Sequence, residues 1–167
     1  MPDTCRRIAN LGYAGCGMSA LGPGSAAPPL PEVDFAAGPT VLFFYKVTCP
    51  VCQMAAPMVG EFQRAYPGRI VGVGQDAEGK LAEFDRELGM GFGSMADLPP
   101  YELSNGYQIG VVPSLFLVSP EGVVLESVES WNRDGFNQVS KHLAALTGAE
   151  YAPISEPGDG LPPFRPG

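Results

Sequence analysis

Basic charge is scarce in this chain. Ten Lys and Arg stand against eighteen Asp and Glu over 167 residues, a formal net charge of -8. That argues against nucleic acid as a partner, because phosphate binding needs a concentrated basic surface. Histidine is nearly absent. His142 alone, between Lys141 and Leu143 on a predicted helix, reads as a surface residue, which disfavours a Cys–His hydrolase. No apolar run approaches the roughly 20 residues a transmembrane helix needs, so no membrane span is expected. There is no internal repeat, and Gly72-Val73-Gly74 lacks the third glycine and the helix of a dinucleotide-binding turn. Cysteine is limited to four residues. A domain of this length buries roughly 68–70 % of its unfolded surface, so neither disulfide staples nor metal is required for a core, and no cofactor is expected.

Glycine and proline are plentiful, and eleven of the eighteen prolines lie within residues 1–39 and 153–167. That placement predicts one central domain over residues 38–148, a flexible Pro/Gly-rich N-terminal arm (1–37) and a flexible Pro-rich tail (149–167) whose last fifteen residues are disordered. Near the N-terminus, Arg6 and Arg7 precede a segment with the outline of a lipoprotein signal. Asn10 interrupts its apolar stretch and Tyr13 stands where such signals want Leu. The expected location is therefore cytoplasmic, or periplasmic if a leader has been removed.

Residues 40–46 are β-branched and aromatic on both faces, as a central strand should be. Pro50 suits the first position of a helix, since its missing N–H costs nothing there. Met54, Met58, Val59 and Phe62 then give a core-facing stripe, with Pro57 inside it. Residues 69–75 read as a second strand, and Asp76 as the cap of a helix carrying Leu81, Phe84 and Leu88. An irregular connection with a short helical turn follows over 90–106. Residues 114–118, a turn at 119–122 and residues 123–128 make a hairpin, and a last helix runs from Asp134 to a stop at Gly148. The order β-α-β-α-β-β-α predicts a mixed sheet with helices on both faces.

Thr48-Cys49-Pro50-Val51-Cys52 falls between the first strand and the first helix. A sulfur placed there lies beside the free N–H groups of the first helical turn, which with the helix dipole stabilise a thiolate. Two intervening residues let the second sulfur close on the first, so a mixed disulfide can be resolved internally. Zinc ligands use the same spacing, and Cys5 and Cys16 would complete four, although ten residues separate them. An iron–sulfur site bridged between two chains is a further alternative. Cys5 and Cys16 themselves read as incidental thiols or as a second redox pair.

Residues 41–57, with Cys49, Cys52 and a proline five residues after the second cysteine, resemble the active-site strand and helix of the thioredoxin superfamily. Residues 107–118, with Val112-Pro113-Ser114, resemble the segment that carries that family's cis-proline, followed by a similar hairpin. The resemblance covers about residues 38–148. The long connection between Asp76 and Gly106, and the Pro50-Val51 dipeptide, look most like the redoxin branch with TlpA-type and MauD-type proteins.

This resemblance implies a thioredoxin-like α/β fold with Cys49 as exposed nucleophile and Cys52 as resolving thiol. It implies a cis Pro113 against the pair, with Val112 offering its N–H and C=O to an extended thiol-bearing peptide. Pro50 and Val51 would line the partner's side. The implied partners are protein or small-molecule thiols and disulfides plus an unnamed electron donor, and the chain is expected to act as a monomer. Three departures bear on rate. Thr48 replaces the usual tryptophan, and neither Phe43 nor Ala55 supplies the carboxylate that moves the second thiol's proton in relatives. A peroxiredoxin-like peroxidase is the competing enzyme. Its pattern wants Thr or Ser three residues, and Pro seven residues, before the cysteine. Cys49 has Lys46 and Leu42 at those places, and Cys52 has Cys49 and Tyr45. A non-catalytic thioredoxin-fold module binding metal or a partner is the alternative outside enzymes.

Overall fold

Residues 19–167 are described by a computed structural model of the chain. Cys5, Cys16 and the Arg6–Arg7 segment lie outside the described residues, so the expectations placed on them stand where the sequence left them. Strand β1 (Thr40–Tyr45) is buried at every residue, which accounts for its run of apolar side chains on both faces. It pairs in parallel with β2 (Ile70–Gly74) and antiparallel with β4 (Ser114–Val118). Beyond these lie β3 (Ser94–Ala96), parallel to β2, and β5 (Val124–Glu129), antiparallel to β4. The sheet order is β3-β2-β1-β4-β5, a five-stranded mixed sheet. β3 is an addition to the expected strands: three half-buried residues are too few to leave a period in the sequence.

Alternation along β1 divides the interior. Val41, Phe43 and Tyr45 join one cluster with α1 (Pro50–Ala65), α2 (Glu78–Leu88) and α4 (Arg133–Thr147). Leu42 and Phe44 join a second with Leu30, Tyr107, Phe116 and Val124. That second face was expected to carry helices. Among the described residues it carries one short helix, α3 (Glu102–Gly106), together with residues 20–35, with Leu21, Val33, Phe35 and Leu103 packed on it. Residues 19–37 therefore belong to the fold rather than to a free arm. Leu21 N–H donates to Tyr107 O at 3.1 Å and Gly24 N–H to Val124 O at 2.8 Å, and Ala26 bridges Val123.

Helix α1 begins with Pro50 at its first turn and retains Pro57 inside it. Asp76 does not cap α2. Ala77 holds the cap position without a side-chain bond, and the Asp76 carboxylate turns to the Val47 N–H at 2.9 Å. The hairpin turn closes through Gly122 N–H to Ser119 O at 2.9 Å, with Gly122 at φ 73, a conformation that glycine adopts freely. The helix expected from Asp134 starts at Arg133, because Asn132 accepts from Gly135 N–H at 3.0 Å.

The tail over 149–167, expected to be flexible with its last fifteen residues disordered, is packed onto the domain. Ile154 and Ser155 are buried, and β7 (Phe164–Arg165) pairs antiparallel with β6 (Trp131–Asn132). The fixings are polar. Asn137 Oδ1 accepts from Ile154 N–H at 2.7 Å, and the Arg133 guanidinium donates to Leu161 O at 2.6 Å and Asp159 Oδ1 at 3.2 Å. Trp131 Nε1 donates to Pro162 O at 2.7 Å. Each bond joins residues more than fifteen apart, so composition reads the tail as coil while the fold supplies its partners.

A candidate redox site at the start of helix α1

Cys49 occupies the cap position of α1, and its Sγ accepts the N–H of Cys52 at 3.3 Å. A helix N–H that would otherwise be orphaned is thus aimed at this sulfur. The Cys49 side chain is half-buried, with Thr48 and Pro50 exposed on either side. Its thiol donates to the Val112 carbonyl at 3.5 Å, which brings the first cysteine against the loop that the resemblance singled out. The Val112–Pro113 bond is cis, as that resemblance implied; Pro99–Pro100 is a second cis bond that went unread. Pro113 is buried and Val112 half-buried.

Cys52 lies one turn deeper and is fully buried among Phe43, Ala55 and Ala56 in the core. Burial pushes its thiol well above the ordinary cysteine range, because a thiolate there would lose its water, and the neighbouring Cys49 adds to the effect. Both cysteines are free thiols. Phe43 and Ala55 are also fully buried, so the two places that hold a carboxylate in relatives are apolar here. Of the Pro50–Val51 pair expected to face a partner, Pro50 is exposed. Val51 is buried in the core, because helical rotation turns its side chain away from the sulfurs.

Three contributors escaped the sequence reading. Asp76, at the end of β2, holds the loop before the cysteines through Val47 N–H. Ser130, at φ 66, donates its N–H to Pro113 O at 2.8 Å. Gly167 lies so close to Val112 that an added Cβ would overlap the Val112 carbonyl oxygen. Asp76 had one readable signal, its place just after the C-terminal end of a parallel strand, where ligands of α/β sheets collect. The other two had none. His142, expected at the surface, is half-buried and meets Glu126 at 3.0 Å. Among the described residues, no three of His, Cys, Asp and Glu cluster as a metal site would require.

The AhpC/TSA family model matches residues 30–127, well over half of the chain. The chain belongs to the AhpC/TSA family. The chain is also similar to the methylamine utilization protein MauD of Methylorubrum extorquens, 28 % identical over 113 residues. That match covers 67 % of this chain and 50 % of the relative, so the chain spans about half the relative's length. Solved structures agree on the fold. The thioredoxin domain of a thiol-disulfide oxidoreductase from Bacteroides vulgatus superposes with a TM-score of 0.63 at 23 % identity, covering 74 % of this chain and 99 % of that one. MTB DsbF, solved in mixed oxidized and reduced forms, gives 0.54 at 27 % identity, covering 65 % and 80 %. This AhpC/TSA chain is thus a thioredoxin-like protein of the redoxin branch, with a Cys-x-x-Cys pair at the helix start.

Proposed function

We propose that this chain is a thiol–disulfide oxidoreductase that works through Cys49-Pro50-Val51-Cys52 on protein or small-molecule partners. One observation carries the reading: the Cys49 sulfur receives the Cys52 N–H at the helix start while resting against the Val112 carbonyl, with Cys52 directly beneath it. In reduction of a partner, the Cys49 thiolate attacks one sulfur of the partner's disulfide, and the other leaves as a thiolate that takes a proton from solvent. Cys52 then loses its proton and attacks the Cys49 sulfur. The Cys49–Cys52 bond closes as the partner's second thiolate departs. Two electrons pass from the protein's dithiol to the partner. Reduction or isomerisation is placed ahead of oxidation, because a pair that oxidises its partners needs its reduced form stabilised, and burial makes a Cys52 thiolate costlier rather than cheaper.

Water or the departing partner thiolate is the acceptor for the Cys52 proton, since Phe43 and Ala55 offer no carboxylate. A peroxidase reading draws support from the family name alone, and both cysteine registers lack its flanking residues. The deciding experiment is equilibration in defined glutathione buffers, read by thiol-alkylation gel shift. A reversible two-electron transition that Cys49→Ser removes supports exchange, and its midpoint gives the direction. Failure to form a Cys49–Cys52 disulfide overturns the reading.

A further inference from the structure

The tail is held in two unequal parts. As far as Pro163 it is tied to buried groups: the Arg133 guanidinium and Trp131 Nε1 bind Leu161 O and Pro162 O, and Arg133 N–H donates to Pro163 O at 2.9 Å. Arg133 and Trp131 are both buried. Residues 164–167 are exposed and have less to hold them. They have the two-residue pairing of β7 with β6, a Gly167 N–H to Ser130 Oγ bond at 3.0 Å, and a loose Arg165 contact with Met54 Sδ at 3.9 Å. A two-stranded ladder of this length is marginal in water.

Those four residues lie across the site. A Cβ on Gly167 would meet the oxygen, carbon and nitrogen of Val112, so Gly167 rests on the backbone of the residue before Pro113. The same Val112 oxygen receives the Cys49 thiol. Ser130 ties both sides together, donating its N–H to Pro113 O and accepting from Gly167 N–H through its hydroxyl. An extended peptide offering its cysteine to Cys49 would pair with that same Val112 backbone.

We propose that residues 164–167 are an internal occupant of the partner-docking edge, hinged at Pro163, and that an extended disulfide-bearing peptide must displace them to reach Val112. The inference rests on the exchange reading above. The occupant leaves Cys49 half-exposed, so a compact disulfide reagent reaches the sulfur without moving it, whereas a peptide that needs the Val112 backbone does not. Glycine is the residue at 167 because nothing larger fits on the Val112 carbonyl.

The test compares the full chain with Gly167→Val and with a chain ending at Pro163, each reduced. Oxidation by the insulin disulfides is followed beside oxidation by the small aromatic disulfide DTNB. The expected result is an insulin rate raised about tenfold in the shortened chain, as for a docking edge open in about a tenth of molecules that becomes open in nearly all. Gly167→Val should show a smaller rise, and DTNB should react equally with all three. Insulin rates that stay level or fall in both variants overturn the occupant and make 164–167 an inert flap or part of the platform. If no form reacts with either disulfide, the exchange reading itself fails.

Discussion

The start of α1 and the tail that reaches it are built by opposite means. Around Cys49 and Cys52 nearly everything is apolar: Phe43, Val51, Ala55 and Ala56 are buried, and among the described residues the Cys49 sulfur bonds to backbone groups. The tail is fixed by side chains, with Arg133, Asn137 and Ser140 each bonded to it and Trp131 covering its base. No buried side-chain nitrogen or oxygen among the described residues lacks a partner. The comparison teaches that reactivity here is left to backbone dipoles and burial, which position a sulfur without supplying a proton acceptor, while polar side chains are spent on holding a segment in place.

Breaking the site gives the largest effect. Cys52→Ala should lower disulfide turnover by about a thousandfold, in the range seen when a covalent partner is removed, and trap mixed disulfides on Cys49 visible on a non-reducing gel. Retained turnover would make Cys49 a single-cysteine enzyme. On the tail side, Trp131→Ala removes a fully buried ring stacked edge-on against Phe136 at 4.9 Å together with the bond to Pro162. A loss of about 3–5 kcal/mol is expected in urea unfolding. Asn137→Ala leaves two tail N–H groups without their acceptor and should cost about 1–3 kcal/mol, with protease cutting near residue 154 as the sharper readout.

The missing proton acceptor has a pH signature. Because burial raises the Cys52 thiol, only a small thiolate fraction exists at neutral pH, and it grows with each step upward. Closure of the Cys49–Cys52 bond in a preformed mixed disulfide should therefore accelerate roughly tenfold per pH unit between about pH 7 and 9. A plateau in that window would mean that another group takes the proton. The smallest effect is expected from His142→Gln. Its pairing with Glu126 is about a third exposed and holds neither the cysteines nor the tail, so stability should move by less than about 0.5 kcal/mol in the same unfolding measurement.

The site was legible because it is local. Cys49, Pro50 and Cys52 are consecutive with the strand and helix that position them, and a buried strand such as residues 40–45 announces itself by being apolar throughout. The stripe of Met54, Met58, Val59 and Phe62 likewise reads from spacing alone. What escaped depends on pairs far apart in the chain. Asn137 with Ile154, Arg133 with Leu161, and Gly167 with Val112 leave no periodic trace. The apolar residues Ile154 and Leu161, set among prolines, were the one sign that the tail had something to bury. Val51 misled for a related reason: adjacency to the cysteines suggested a partner-facing residue, but helical rotation sends it inward.

The chain has a single tryptophan, and it is the residue whose indole N–H grips the base of the tail. Its emission therefore carries no background from elsewhere in the protein. Releasing Pro162 would expose the ring to water and redden that emission, whereas opening of residues 164–167 removes the backbone pairing of Trp131 with Arg165 but keeps the indole bond to Pro162, a smaller change. A single intrinsic fluorophore thus separates loss of the whole tail from opening of its last four residues, without any label.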